Sequence, residues 1–209
     1  MKIECYGGNG YEANCYLIID DNGNHAWVLD PAVDVCTVFR QRRKDLPQID
    51  GILLSHAHFD HMLAVDDWRA QTGALLAIHE ADAAALGDAE KNVYRLFTGR
   101  DGGTAPAERL LQDGEKIAIG QEHLTVLHTP GHTPGCICLY APGILLSGDT
   151  LFASSIGRSD LPGGDTAVLY DSLRYLMRLP PATRVYPGHG PQTTIEREKK
   201  YNPYIGEVR

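Results

Sequence analysis

No uninterrupted apolar run in this chain is longer than a few residues, so nothing approaches the roughly 20 apolar residues that a membrane-spanning helix needs. The opening stretch from Met1 to Gly8 lacks the apolar core of a secretory signal. Cysteine is scarce and odd in number: five, at positions 5, 15, 36, 136 and 138, with Cys136 and Cys138 the one close pair. In a chain with no export signal, free buried thiols are expected ahead of a disulfide or a thiolate ligand. Basic clusters are missing too. The formal net charge is −8, and the longest basic run is Arg42-Arg43-Lys44. That balance argues against an electrostatic nucleic-acid binder and against attachment to anionic lipid. With no linker and no low-complexity tract, residues 1–209 are expected to form one domain. A cytoplasmic location follows by default, and a homo-oligomer is compatible with it.

What is present is ordinary in bulk, 43% hydrophobic and 22% charged, and specific in its order. Residues 14–19 and 25–30 read as strands joined by the turn cluster Asp20 to Asn24. A helix is expected from Val33 to Lys44, with Val35, Val38 and Phe39 on one face. Strand 49–55 leads into His56-Ala57-His58-Phe59-Asp60-His61, and a helix over 61–72 is expected to turn Leu63, Ala64, Val65 and Trp68 inward before Gly73. A strand at 75–78 and an Ala-rich helix at 80–86 precede a long excursion, 92–109, of the kind that covers sites. Strands follow at 116–119, 124–128, 135–140 and 143–147. An amphipathic helix over 165–179 has Asp165 as N-cap, and a short strand at 184–186 comes last. Two halves that each run from strands into a helix suggest two sheets face to face with helices outside.

Three imidazoles and a carboxylate in six residues cannot all pack into an apolar core, because each buried polar group needs a partner. Read alone, the hexapeptide is either a solvated loop or a ligand cluster for zinc, iron or manganese. Three later strand ends resemble it. Thr129-Pro130-Gly131-His132 follows one strand, Gly148-Asp149 another, and Tyr186-Pro187-Gly188-His189 a third. A lone His in a Pro-Gly turn is more often structural, but four polar clusters at the same topological position supply seven ligand-type side chains. These are His56, His58, Asp60, His61, His132, Asp149 and His189. Seven donors exceed one tetrahedral zinc and suit two metals sharing a carboxylate.

The order His-x-His-x-Asp-His, then His, Asp and His, resembles the metallo-β-lactamase superfamily across nearly the whole chain. The resemblance implies an α/β fold, a four-layer αββα sandwich with the site at one edge of the two sheets. It also implies His56, His58 and His132 on one divalent metal, Asp60, His61 and His189 on the other, and Asp149 bridging them. Zinc is the expected metal, with iron or manganese as alternatives. Having Asp60, His61 and Asp149 together is similar to the glyoxalase II branch. The runs Gly148 to Phe152 and Gly157 to Asp165, and the ending from Gly188 to Ile195, resemble small bacterial hydroxyacylglutathione-hydrolase-like proteins. In that branch Arg158 matches a basic residue that contacts glutathione; the alternative for Arg158 is a surface salt bridge. The chain stops about twenty residues after His189, so the C-terminal helical domain of full-length glyoxalase II is expected to be missing.

The expected activity is hydrolysis of a thioester such as an S-acylglutathione by hydroxide held between the metals, with Asp60 orienting the nucleophile. A thiolate leaves without a strong general acid. The alternative within the resemblance is a persulfide dioxygenase with one iron on the equivalents of His56, His132 and Asp149. Lactonase and RNA-processing branches also exist, the latter disfavoured by the acidic balance. Tyr94 and Phe97 either pack into the core or cover the pocket.

Overall fold

The computed structural model describes residues 1–7 and 10–208. The first six-stranded sheet is assembled in chain order from β1 (Lys2–Gly7), β2 (Asn14–Ile19), β3 (His25–Leu29), β4 (Gln48–Leu53), β5 (Leu76–His79) and β6 (Arg109–Leu111). β1 to β3 pair antiparallel, with the Asp20 side chain closing the β2–β3 turn by accepting from the Asn24 and His25 amides. From β3 to β6 the pairing is parallel. The crossovers run through α1 (Val35–Arg42), α2 (Val65–Thr72) and the short α3 (Tyr94–Thr98), as parallel pairing requires.

The second half begins with β7 (Lys116–Ile119), β8 (Glu122–His128), β9 (Ile137–Ala141) and β10 (Ile144–Gly148). A two-stranded hairpin of β11 (Leu151–Phe152) and β12 (Ser155–Ile156) leads to α4 (Thr166–Leu176). β13 (Arg184–Pro187), β14 (Thr193–Thr194) and α5 (Ile195–Tyr201) complete it. The spatial order of this sheet is β14-β13-β10-β9-β8-β7.

The four layers follow from the two-residue period of the strands. In β2, Tyr16 and Ile18 face the space between the sheets, while Cys15, Leu17 and Ile19 face the helices of the first half. In β4, Leu53 points between the sheets and Ile52 points outward toward the cluster around Trp68. The second sheet mirrors this: Val126, Leu139 and Leu146 turn inward, and Leu127, Cys138 and Leu145 meet Leu169, Leu173 and Leu176 of α4. Each such buried aliphatic side chain contributes about 1.5–3 kcal/mol. Asp165 caps α4 as expected, accepting from the Val168 amide at 3.1 Å.

Some details differ from expectation. A 3-10 turn, Phe59–His61, occupies the start of the expected 61–72 helix, which is α-helical only from Val65. Its phase shift leaves Leu63 40% exposed, while Ala64, Val65 and Trp68 are buried. Phe39 lies on the solvent side of α1, and the Ala-rich segment is 3-10 rather than α. All five cysteines are free, but Cys5 and Cys36 are exposed. Among the described residues no helix is long and apolar enough to cross a membrane.

Candidate metal centre

β8 and β10 are both antiparallel to β9, and β10 is parallel to β13, so β8, β10 and β13 run the same way. Their C-terminal ends therefore share one sheet edge, which is where His132, Asp149 and His189 emerge. Backbone hydrogen bonds join the first sheet to that edge. Just past the end of β4, the Ser55 carbonyl accepts from the Ile137 amide at 2.9 Å, and at the start of β2 the Asn14 amide donates to the Gly188 carbonyl at 2.7 Å. The β10–β13 register slips between Leu146 and Gly148. This irregularity re-aims the chain just before Asp149. Gly148 has φ +46°, and a Cβ there would lie 2.6 Å from the Ser55 Cβ, so the turn needs glycine.

All seven candidate ligands meet at this edge. Three groups have their donor atoms within 4.8 Å of one another: His56, His58 and His132; His56, His61 and Asp149; and Asp60, His61 and His189. The Nε2 atoms of His56 and His132 lie 3.2 Å apart. Asp149 stands between the groups, one oxygen 3.4 Å from His61 Nε2 and the other 3.6 Å from His132 Nε2 and 3.7 Å from His189 Nε2. Asp60 Oδ2 is 3.1 Å from His189 Nε2.

Buried partners set which nitrogen faces the centre. Ser55 Oγ has one proton, which it gives to Asp30 Oδ2 at 2.8 Å. It therefore accepts from His56 Nδ1 at 3.1 Å, leaving the His56 Nε2 lone pair for a cation. His132 Nδ1 donates to the Arg158 carbonyl at 2.6 Å, with the same consequence. Asp30, fully buried at φ +51°, also lies 3.0 Å from His61 Nδ1. Asp82 receives the Ala57 and Gly135 amides and the Thr133 hydroxyl. Neither aspartate stood out in the sequence. Asp30 reads as a strand end before Pro31, and Asp82 as one polar residue in an Ala-rich stretch.

The electrostatics suit cations. Burial drives the His56 pKa well below its usual value, reinforced by the imidazoles of His61 and His58. Burial and His132 push His58 down to about 3. For Asp149, burial opposes ionisation, but His61, His132 and His189 outweigh it and hold the carboxyl well below the usual range. Asp60 is lowered in the same way, burial being overcome by His61 and His189. Burial also disfavours charge on His61, yet the carboxylates of Asp149, Asp30 and Asp60 raise its pKa well above normal. A cation at His61 would displace that proton. His58 Nε2, His61 Nε2 and Asp149 Oδ1 are buried and make no hydrogen bond. Such orphaned atoms are costly unless something binds them, and this N/O donor set fits one or two divalent transition-metal ions.

Residues 8–189 match the model of the metallo-beta-lactamase superfamily. The chain belongs to that superfamily. Its two mixed sheets with outer helices are the metallo-beta-lactamase fold, as the resemblance implied. Among relatives, a probable metallo-hydrolase of Bacillus subtilis, YqgX, is 35% identical over 93% of this chain and 92% of its own length. The hydroxyacylglutathione hydrolase GloC of Haemophilus influenzae is 31% identical over 98% of each chain. Among solved structures, the BLEG-1 B3 metallo-beta-lactamase superposes with a TM-score of 0.90 at 35% identity, covering 98% of this chain and 99% of that one. TTHA1623 in a di-iron-bound form gives 0.82 at 34% identity, with 98% and 100% covered.

A cavity of about 340 Å³ opens onto the metallo-beta-lactamase centre, lined on one side by His58, Asp60, His132, Asp149 and His189. Arg158 stands at its wall, its guanidinium paired with Asp160 at 2.7 and 2.8 Å. Arg158 therefore makes the surface salt bridge that was one sequence alternative, and it also lines the cavity. Phe97 lines the cavity, 55% exposed. Tyr94 does not, and packs edge-on against Phe59 at 5.6 Å.

Proposed function

We propose that this chain is a metal-dependent thioester hydrolase, with S-acylglutathione-type compounds as the substrate class and two divalent metal ions as cofactors. The observation that carries it is the convergence of seven buried or half-buried donors into overlapping groups with Asp149 between them. The relation to GloC supports the thioester class. His56, His58 and His132 would hold one ion, Asp60, His61 and His189 the other, and Asp149 both.

Bound ions supply Lewis acidity, which brings the pKa of water toward about 7 and polarises a carbonyl. The protein's own part is positional. Ser55 and the Arg158 carbonyl hold His56 and His132 with Nε2 inward. Asp60, ionised and lining the cavity, can accept a hydrogen bond from a water and so orient it. Arg158 can take a substrate carboxylate in place of Asp160, because guanidinium pairs with planar carboxylates in two-point fashion. The thiol half of the substrate leaves as thiolate, so no buried general acid is needed.

Elemental analysis of the purified protein and assays on one sample test this. About two metal ions per chain with turnover of S-lactoylglutathione or a related thioester is the expected result. Turnover of a β-lactam, or oxygen uptake on glutathione persulfide, with thioesters left untouched would overturn it.

A further inference from the structure

Resting on the thioesterase proposal, we infer that the acyl half of the substrate is an apolar, ring-sized group, seated on an aromatic wall that begins inside the metal-binding hexapeptide. Phe59 lies between His58 and Asp60, so the backbone that presents two candidate ligands also fixes this ring beside them. Tyr11 stacks on Phe59 with centroids 6.1 Å apart and planes 25° from parallel. Phe97 stacks on Phe59 at 5.6 Å and 27°. Phe59 is 6% exposed, whereas Tyr11 is 66% and Phe97 55% exposed. Tyr11 and Phe97, from separate segments, thus each stack on Phe59, and both line the cavity while remaining exposed. Phe152, edge-on to His189 at 6.2 Å, and Ile156 supply further apolar lining.

The polar groups of the cavity say the same by their scarcity. Among the described residues, and apart from the candidate metal ligands, the polar side chains of the lining are Arg158 and Tyr11. A lactoyl group carries a hydroxyl that a selective site would hydrogen-bond, because a buried polar group without a partner is costly. A flat apolar group on this wall desolvates the rings and stacks in the offset or edge-on geometries that aromatic pairs favour. The Arg158 guanidinium, exchanging Asp160 for the substrate, can take a carboxylate on the thiol half.

The test compares lactoyl, hexanoyl and phenylacetyl thioesters of glutathione and of N-acetylcysteamine on the metal-loaded protein. It also measures Kd by calorimetry for the non-hydrolysable thioethers S-methylglutathione and S-benzylglutathione. Phenylacetyl thioesters should exceed lactoyl thioesters in kcat/KM by about tenfold or more, and S-benzylglutathione should bind about tenfold more tightly than S-methylglutathione. In Phe97→Ala, an exposed position whose truncation leaves the core intact, both preferences should fall several-fold. Phe97→Leu should recover part of the loss. Equal or better turnover of lactoyl thioesters overturns the inference and leaves the thioesterase standing. No hydrolysis of any thioester sinks the thioesterase, and equal Kd for the two thioethers then removes the aromatic subsite as well.

Discussion

The Thr133 hydroxyl donates to the Asp82 carboxylate at 2.7 Å, and the same oxygen accepts the Ala57 amide at 3.1 Å. Ala57 lies between His56 and His58, and Thr133 follows His132. A carboxylate outside the candidate ligand set therefore ties the ligand loops of the two sheets together, and its other oxygen takes the Gly135 amide at 2.7 Å.

Asp82→Ala should leave three buried donors unpaired and cost about 2–4 kcal/mol in urea unfolding. It should also weaken metal binding about 10–100-fold in competition with a chelator, because the ligand geometry loses its support. Asp82→Asn keeps one acceptor oxygen and should lose roughly half as much. Undiminished metal affinity in Asp82→Ala would show that the two loops hold their positions without it.

A second buried acid organises the opposite wall. Glu198 is fully buried and accepts from Ser154 N at 2.7 Å, Asn202 Nδ2 at 2.9 Å, Arg197 Nη1 at 2.8 Å and the Thr193 hydroxyl. Ser154, at φ +61°, is the turn of the β11–β12 hairpin that carries Phe152 and Ile156 to the cavity. Glu198→Ala should cost about 3 kcal/mol by stranding these donors. In the folded fraction KM should rise more than kcat falls, since the hairpin shapes the pocket and not the ligand set. A pure loss of kcat with unchanged KM would contradict that assignment.

These two acids also mark the limits of sequence reading. The strands that lead into the candidate ligands, β4, β8, β10 and β13, were legible because β-rich runs alternate with turn clusters, and the ligands because four polar clusters follow strand ends; the two-residue strands β11 and β12 were too short to show a pattern. α5 was not legible, since the face it buries carries Ile195 and Glu198 among Glu196, Arg197, Lys199 and Lys200, which leaves no apolar stripe to detect. β1 was missed for a related reason: five of its six residues are partly exposed or exposed, so its inward alternation is weak. Asp30 and Asp82 became meaningful only once folding brought Ser55, Ala57 and Thr133 to them. Their partners lie 25 to 53 residues away in sequence, beyond any local pattern.

Stability should fall in acid partly through β1. Lys2, Tyr6 and Arg42 all donate to Glu4. Burial pushes the Glu4 carboxyl up, but these partners outweigh it and bring its pKa from 4.5 down to about 2. A carboxylate lowered on folding adds stability above its unfolded pKa, and that contribution is lost as pH falls from about 4.5 to about 2. Because the group is partly solvated and the charges are screened, about 1 kcal/mol is expected. Glu4→Gln should lower stability by that amount at pH 7 and converge with the parent near pH 2, read by urea unfolding at several pH values. Parallel curves across that range would exclude Glu4 as a contributor.

The sharpest demand on the centre falls on a residue with no side chain. Gly188 precedes His189, and a Cβ built on it would lie 2.1 Å from Asp149 Oδ1 and 2.8 Å from His61 Cε1. Both neighbours are buried and engaged with one another at 3.4 Å, so neither can retreat without breaking the arrangement around Asp149. Gly188→Ala should therefore lower turnover by about 10²-fold or more, the scale expected when reacting groups are misplaced by about 1 Å. On the proposed two-ion assignment, in which Asp149 would serve both ions, metal content should fall from two ions toward one. Unfolding should register a smaller change, about 1–3 kcal/mol, as is usual for overpacking. Full metal content and activity in Gly188→Ala would mean that Asp149 does not need its present position, and with it the shared-carboxylate arrangement would fail.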